Sequence, residues 1–161
     1  MSHLHQFNLD EALRLLKMDA EQLALLREIR PVLEQDAEEI INNFYAHLTK
    51  LPGLKGIIDS FSSVEKLKVT MKRYLLSLFP EKVDEKFIEW RITIGEVHKR
   101  INLPPFYYLS ANQILCDEII PRIFKYYRKK SDQAVRVSLA LQRFLNLDQQ
   151  VVMASYIQSY I

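Results

Sequence analysis

Three polar residues sit on helical faces that are otherwise apolar, and their types suggest a chemistry. His98 lies within Phe87-Ile-Glu-Trp-Arg-Ile-Thr-Ile-Gly-Glu-Val-His-Lys-Arg-Ile-Asn-Leu-Pro-Pro105. Spacings of seven, four and three put Phe87, Ile94, His98 and Ile101 on one stripe of a helix. Tyr45 shares a face with Ile40, Ile41, Phe44 and Leu48, and Thr70 with Leu67, Met71, Tyr74 and Leu78. Singly, each has a plain reading. A buried tyrosine finds a carbonyl partner, a threonine satisfies its hydroxyl within its own helix, and a histidine on an apolar stripe is more often a core residue than a ligand. His47 is two positions from Tyr45 and so faces away from it.

Most other chemistries lack their residues. The chain has no Glu-x-x-His pair for a di-iron carboxylate bundle, no phosphate loop, no HExxH and no nucleophile elbow. Cys116 is the single cysteine, which excludes an intrachain disulfide and a thiolate cluster. No catalytic set is visible, so an enzyme is not expected. A net charge of +2 is too small to imply nucleic acid. The dense basic run Lys125-Tyr-Tyr-Arg-Lys-Lys130 falls where a helix should end, as cations at the negative end of its dipole. There is neither an apolar run of membrane-spanning length nor a signal peptide, so a cytoplasmic domain without membrane contact is expected. What remains is a neutral imidazole in an apolar helical pocket with hydroxyls nearby. That set suits a five-coordinate haem, with a proximal histidine on the iron and distal donors selecting a gas; a satisfied core histidine stays open beside it.

The elements that must position these groups are all helical. At 161 residues the chain is one domain by its length, residues 1–161, and its three glycines (Gly53, Gly56 and Gly95) suit long helices with few turns. About six to eight helices are expected, and no strand. Met1 to Asn8 reads as frayed, with His3 and His5 inert, before a short accessory helix over residues 8–17 carrying Leu9, Leu13 and Leu16. Asp19 reads as the cap of the next helix, with Gln22 as its capping-box partner. Pro31 either begins a new helix or kinks a continuous one. Leu51-Pro52-Gly53 ends that helix, and the stretch to Ser62 reads as a connector. Ser62 or Ser63 caps the Thr70 helix, and the His98 helix starts near Asp84. After Pro104-Pro105 a helix runs to about Lys130, with Pro121 inside it and Tyr108, Leu115, Ile119, Ile123, Phe124 and Tyr127 inward. Ser131-Asp132 caps the last helix, whose apolar period runs Val135, Leu139, Leu141, Leu145, Val152, Tyr156 and Ile157. It reaches Ile161 without a capping glycine, which reads as a sensor domain cut from a longer protein.

Several segments, in this order and spacing, resemble the globin domain of globin-coupled sensors, most of all that of haem-based aerotaxis transducers. They are Ile41-Asn-Asn-Phe-Tyr-Ala-His-Leu48, Ser62-Ser-Val-Glu-Lys-Leu-Lys-Val-Thr-Met-Lys-Arg73, Val83-Asp-Glu-Lys-Phe-Ile-Glu-Trp-Arg91, Val97-His-Lys-Arg-Ile-Asn-Leu-Pro104 and Leu145-Asn-Leu-Asp-Gln-Gln150. The resemblance covers about Met18 to Tyr160. It implies a globin fold with an extra N-terminal helix and a reduced region before the distal helix. It implies haem b, with His98 as the proximal ligand and Tyr45 and Thr70 as distal donors. Phe44, Leu67, Met71, Tyr74, Val97, Ile101 and Tyr108 would line the cofactor. Two departures stand out. Asn102 stands where the family often has glycine, and Tyr107 where it usually has tryptophan. Asparagine is the next-best residue for a left-handed stop.

The function so implied is sensing of dioxygen, with carbon monoxide and nitric oxide as further ligands. The state would pass to a C-terminal output domain, in aerotaxis or chemotaxis, through a homodimer packed on the last two helices. A stand-alone dioxygen-binding or redox globin and a cofactor-free helical interaction module have the same amphipathic pattern and stay as alternatives.

Overall fold

Most helices in this chain begin where a side chain accepts from a free first-turn amide or a proline removes one. In the computed structural model, residues 7–157 are described; they form seven helices, and no strand occurs among them. These are α1 (Leu9–Leu15), α2 (Ala20–Leu48), α3 (Pro52–Phe61), α4 (Val64–Ser77), α5 (Glu85–Arg100), α6 (Pro105–Tyr126) and α7 (Ser131–Ile157). Asn8 accepts from the Glu11 amide at 3.0 Å, so it caps α1 rather than belonging to a frayed start. Asp19, Ser63 and Asp84 cap α2, α4 and α5 in the same way, each accepting from the amide three residues on. The capping box at Asp19 is not reciprocal, because the Gln22 side chain instead accepts from Arg143 Nη1 on α7 at 2.9 Å. Pro52 and Pro105 open α3 and α6, where a missing amide costs nothing. α7 starts on the Lys130 carbonyl, which accepts from the amides of Gln133 and Ala134. Ser131 and Asp132, expected as caps, lie inside its first turn. His3, His5 and the chain end at Ile161 lie outside the described residues.

The stop after α5 is made by Asn102. Its φ is 57°, its amide donates to the Lys99 carbonyl at 2.9 Å, and the Leu103 amide donates to the His98 carbonyl at 3.0 Å. This is a Schellman turn with asparagine in the place glycine usually takes. The expected stop is therefore present, and it fixes the backbone of His98 at the helix end.

Two readings need correction, and the alternative left open at Pro31 is decided. The supposed connector is the ten-residue α3; Gly53 and Gly56 lower its helix propensity, and only Leu54 of it is buried. Pro31 lies inside a continuous α2, where it removes one ladder bond without starting a new helix. α6 ends at Tyr126, and Phe124, Val135 and Leu139 are exposed, at 41%, 46% and 43%. The buried face of α7 instead runs through Val137, Leu141, Phe144, Leu147 and Val151.

The core joins these faces to Leu26, Ile29, Leu33 and Ile40 of α2 and to Ile119 and Ile123 of α6. Each such side chain contributes about 1.5–3 kcal/mol on burial. Arg122 fixes α6 against α2, reaching Asp36 at 3.0 Å, Glu39 at 3.2 Å and Glu118 at 2.9 Å. α5 packs on α7 more closely than side chains would normally permit, because it presents Gly95 there. A Cβ at that position would meet Ser155 Cβ at 2.6 Å and the Val152 carbonyl oxygen at 2.9 Å. His98 follows one turn later, so this contact sets where its ring projects.

Candidate functional site

A cavity of about 590 Å³ opens between α2, α3, α4, α5 and α6. That volume is in the range of small-molecule and cofactor sites. The structure brings all ten expected site residues to it: Phe44 and Tyr45 from α2, Leu67, Thr70, Met71 and Tyr74 from α4, Val97 and His98 from α5, Ile101 from its end, and Tyr108 from α6. α3 adds a wall of Leu54, Ile57, Ile58 and Phe61, which the connector reading had missed. Phe87, on the same stripe as His98, goes elsewhere and packs its ring 5.2 Å from Phe144. The stripe divides because α5 serves the core at its start and the cavity at its end. His47 is exposed, as its spacing requires.

His98 Nδ1 is 2.6 Å from the Ile94 carbonyl oxygen. A carbonyl only accepts, so Nδ1 carries the proton and donates, which leaves the Nε2 lone pair free. Nε2 has no partner among the described residues. Burial lowers the imidazole pKa from 6.5, opposed by the Ile94 hydrogen bond and the Asp148 charge, and so favours the neutral ring. A neutral imidazole with its second nitrogen held by a carbonyl is the form that ligates metals.

The plain readings of the two hydroxyls do not hold. Tyr45 is buried with its ring edge-on to Phe44 at 5.1 Å, yet its hydroxyl has no partner among the described residues. Burial pushes its pKa up to about 12, so it is a protonated donor at ordinary pH. Thr49 and Thr93 bond carbonyls of their own helices, at 2.7 and 3.0 Å. Thr70 does not; it is exposed, and its hydroxyl is without a partner among the described residues.

Beneath the cavity lies a charged network that the pattern reading passed over. Arg91 and Asp148 have no exposed surface, and Arg91 Nε meets Asp148 Oδ1 at 3.0 Å. Asp148 Oδ2 accepts from Tyr74 at 2.9 Å and Tyr108 at 2.7 Å, while Arg91 Nη2 donates to Ser77 Oγ at 2.6 Å. The Arg91 guanidinium also lies over the rings of Phe87, Trp90 and Tyr74, at 4.1, 4.9 and 5.1 Å. These ring faces surround a charge whose Nη1 has no hydrogen bond among the described residues. Burial raises the pKa of both tyrosines, and the Asp148 charge raises them further, so both stay neutral donors. α4, α5, α6 and α7 are thus tied together at one carboxylate. The Tyr108 ring also lies edge-on to His98 at 5.4 Å.

Helical spacing held the signal for these residues. Arg91 is four positions from both Phe87 and Gly95, and Asp148 is four from both Phe144 and Val152. Charged residues on helices are ordinarily solvated, so neither stands out until the faces are known. Asn112, four from Tyr108 and three from Leu115, is a third polar residue on a buried stripe. Tyr107, at the departure from the family's tryptophan, lines the cavity, and its hydroxyl reaches toward Gly53 of α3.

No helix among the described residues is long and apolar enough to cross a membrane. Compared with known proteins, the chain is 29% identical over 152 residues to the heme-based aerotactic transducer HemAT of Halobacterium salinarum. The match covers 89% of this chain and 31% of that relative, so the chain spans about a third of its length. The fold is similar to the globin domain of the Geobacter sulfurreducens globin-coupled sensor, with a TM-score of 0.87, 22% identity, and coverage of 94% of this chain and 99% of that one. It is also similar to the ferric globin domain of DosC from E. coli, with a TM-score of 0.71, 21% identity, and coverage of 89% and 96%. The seven helices are therefore a globin fold, with α1 as the extra N-terminal helix and α3 as the reduced region before the distal helix. The Protoglobin family matches residues 6–161, and the chain belongs to that family.

Proposed function

We propose that this chain is a haem-binding gas-sensor domain, most suited to dioxygen, with His98 as the proximal ligand. One observation carries the reading: the neutral His98 ring keeps Nε2 free in the same cavity that holds the unpartnered hydroxyls of Tyr45 and Thr70. The lining fits haem b, since it is mostly apolar, with Ser62, Arg100 and Asn112 as its further polar members, and no cluster of three metal-ligating side chains exists among the described residues to hold a bare ion. Phe44, Leu67, Met71, Val97 and Ile101 would pack against the macrocycle, and Tyr74 and Tyr108 would offer their rings, their hydroxyls being committed to Asp148. When bound, haem supplies an iron that takes up dioxygen, carbon monoxide or nitric oxide reversibly. Tyr45 and Thr70 would donate to such a gas. A hydrogen bond to an acceptor that gains charge is worth about 1.5–3 kcal/mol, which favours dioxygen over the less polar carbon monoxide.

Sensing needs two states that the ligand distinguishes. The contacts that support a route run from His98 to the Tyr108 ring, and from the Tyr108 hydroxyl to Asp148 on α7. A shift of His98 would move α6 and α7 along this path. Exposed Leu109, Phe124, Val135 and Leu139 on those helices support a homodimer packed through them. The relative HemAT is an aerotactic transducer, and this chain matches 31% of its length, which supports an output in aerotaxis; we place that output in a C-terminal domain of a cytoplasmic protein.

The test is the visible spectrum of the purified protein. A Soret band lost in His98→Ala supports the reading, whereas a protein still colourless after haem is supplied ends it. Ligated and unligated dimers that superimpose at α6 and α7 would end the proposed route.

A further inference from the structure

The cavity holds more polar groups than the ligand reading has used. The Tyr74 and Tyr108 hydroxyls are committed to Asp148, and His98 Nδ1 to the Ile94 carbonyl. Besides buried Tyr45 and exposed Thr70, one further group is left, and it is buried: the side-chain amide of Asn112 on α6. Asn112 is 4% exposed, lines the cavity, and its Nδ2 has no hydrogen-bond partner among the described residues. It interrupts an inward stripe whose next members are Leu115, Ile119 and Ile123. An apolar side chain would be the default there, because a buried amide without a partner destabilises a fold. A donor kept in such a place suits an acceptor that comes from outside the chain.

We infer that Asn112 is a third hydrogen-bonding residue of the gas chamber, its buried amide turning about Cβ–Cγ so that Nδ2 donates to a polar diatomic ligand. The inference rests on the haem reading above and deepens it. α2, α4 and α6 then each contribute one donor, Tyr45, Thr70 and Asn112. The amide differs from the hydroxyls in having two N–H donors on a rigid plane, so it can hold a ligand while Tyr45 or Thr70 rotates away.

The test is Asn112→Leu, which keeps nearly the same volume and removes the amide. In the apoprotein this variant should raise Tm by about 2 to 12 °C, since an orphaned donor is gone. In the haem-loaded protein it should speed dioxygen release about ten- to a hundredfold, leave carbon monoxide release nearly unchanged, and raise the C–O stretching frequency of the carbon monoxide complex. Wild-type dioxygen release and C–O stretch in a haem-loaded variant overturn the inference and leave the sensor reading standing. A lower apoprotein Tm also overturns it, because the amide is then paired within the fold. Should Asn112→Leu fail to fold, Asn112→Ala carries the same gas readouts. A wild-type protein that binds no haem removes the sensor reading itself, and this inference with it.

Discussion

Removing the Arg91 charge should damage this fold more than any surface change, and the size follows from where it sits. Arg91→Met keeps much of the side-chain volume and its contact with Phe87, Trp90 and Tyr74. It leaves Asp148, with no exposed surface, holding its charge against two tyrosine hydroxyls alone. Breaking a buried pair from one side costs about 3–5 kcal/mol. For a chain of this length each kcal/mol moves Tm by about 2–4 °C, so the expected fall is about 6–20 °C. Asp148→Leu strands the arginine instead and leaves the two tyrosine hydroxyls only each other, 3.3 Å apart, with a loss at least as large. The double variant Arg91→Met/Asp148→Leu buries no charge. Its cost should be mainly that of the two hydroxyls left with only each other, at most about 1–3 kcal/mol each, and so well below the sum of the singles. Urea and thermal unfolding of the apoproteins by circular dichroism give all four corners of the cycle. Because the pair is dry, the losses should persist in 1 M salt, unlike those of an exposed pair. Additive single losses, or an Arg91→Met Tm within about 2 °C of wild type, would refute the reasoning.

Other substitutions test the site more locally. Gly95→Ala gains about 1 kcal/mol of helix propensity, but its methyl would overlap Ser155 and the Val152 backbone, which costs about 1–3 kcal/mol. Because backbone cannot yield as a side chain can, a lower Tm and a weakened Soret band are expected, partly restored by Ser155→Gly; a higher Tm would show that α5 and α7 are not so close. Burial lowers the His98 pKa from 6.5, so as pH falls the unfolded chain takes up this proton first. The His98 contribution to apoprotein stability should therefore be complete above pH 6.5, decline as pH falls through the lower folded value, and vanish from the titration of His98→Leu. Tyr45→Phe and Thr70→Ala should each speed dioxygen release about ten- to a hundredfold if each donates, with little change for carbon monoxide. Two wild-type rates by flash photolysis would eliminate both donors.

The residues proposed as ligand and donors are legible in the sequence, because helical spacing alone sets His98, Tyr45 and Thr70 against apolar neighbours. Caps at Asp19, Ser63 and Asp84 and the stop at Asn102 were legible too, since these depend on a few adjacent residues. α3 was not, because two glycines and a short apolar face weaken every local signal. Val135, Leu139 and Phe124 fit an apolar period yet face outward; periodicity cannot say which side of a helix will meet a partner. The chain by itself thus determined its helices, its family pattern and three polar residues on apolar faces. Tertiary structure alone decided that Arg91 and Asp148 are buried as a pair, that Gly95 admits α7, and that Tyr74 and Tyr108 turn their hydroxyls to Asp148 while Tyr45 and Thr70 keep theirs free. The physical reason is that a polar group's role depends on what faces it, and the groups facing these come from helices far away along the chain.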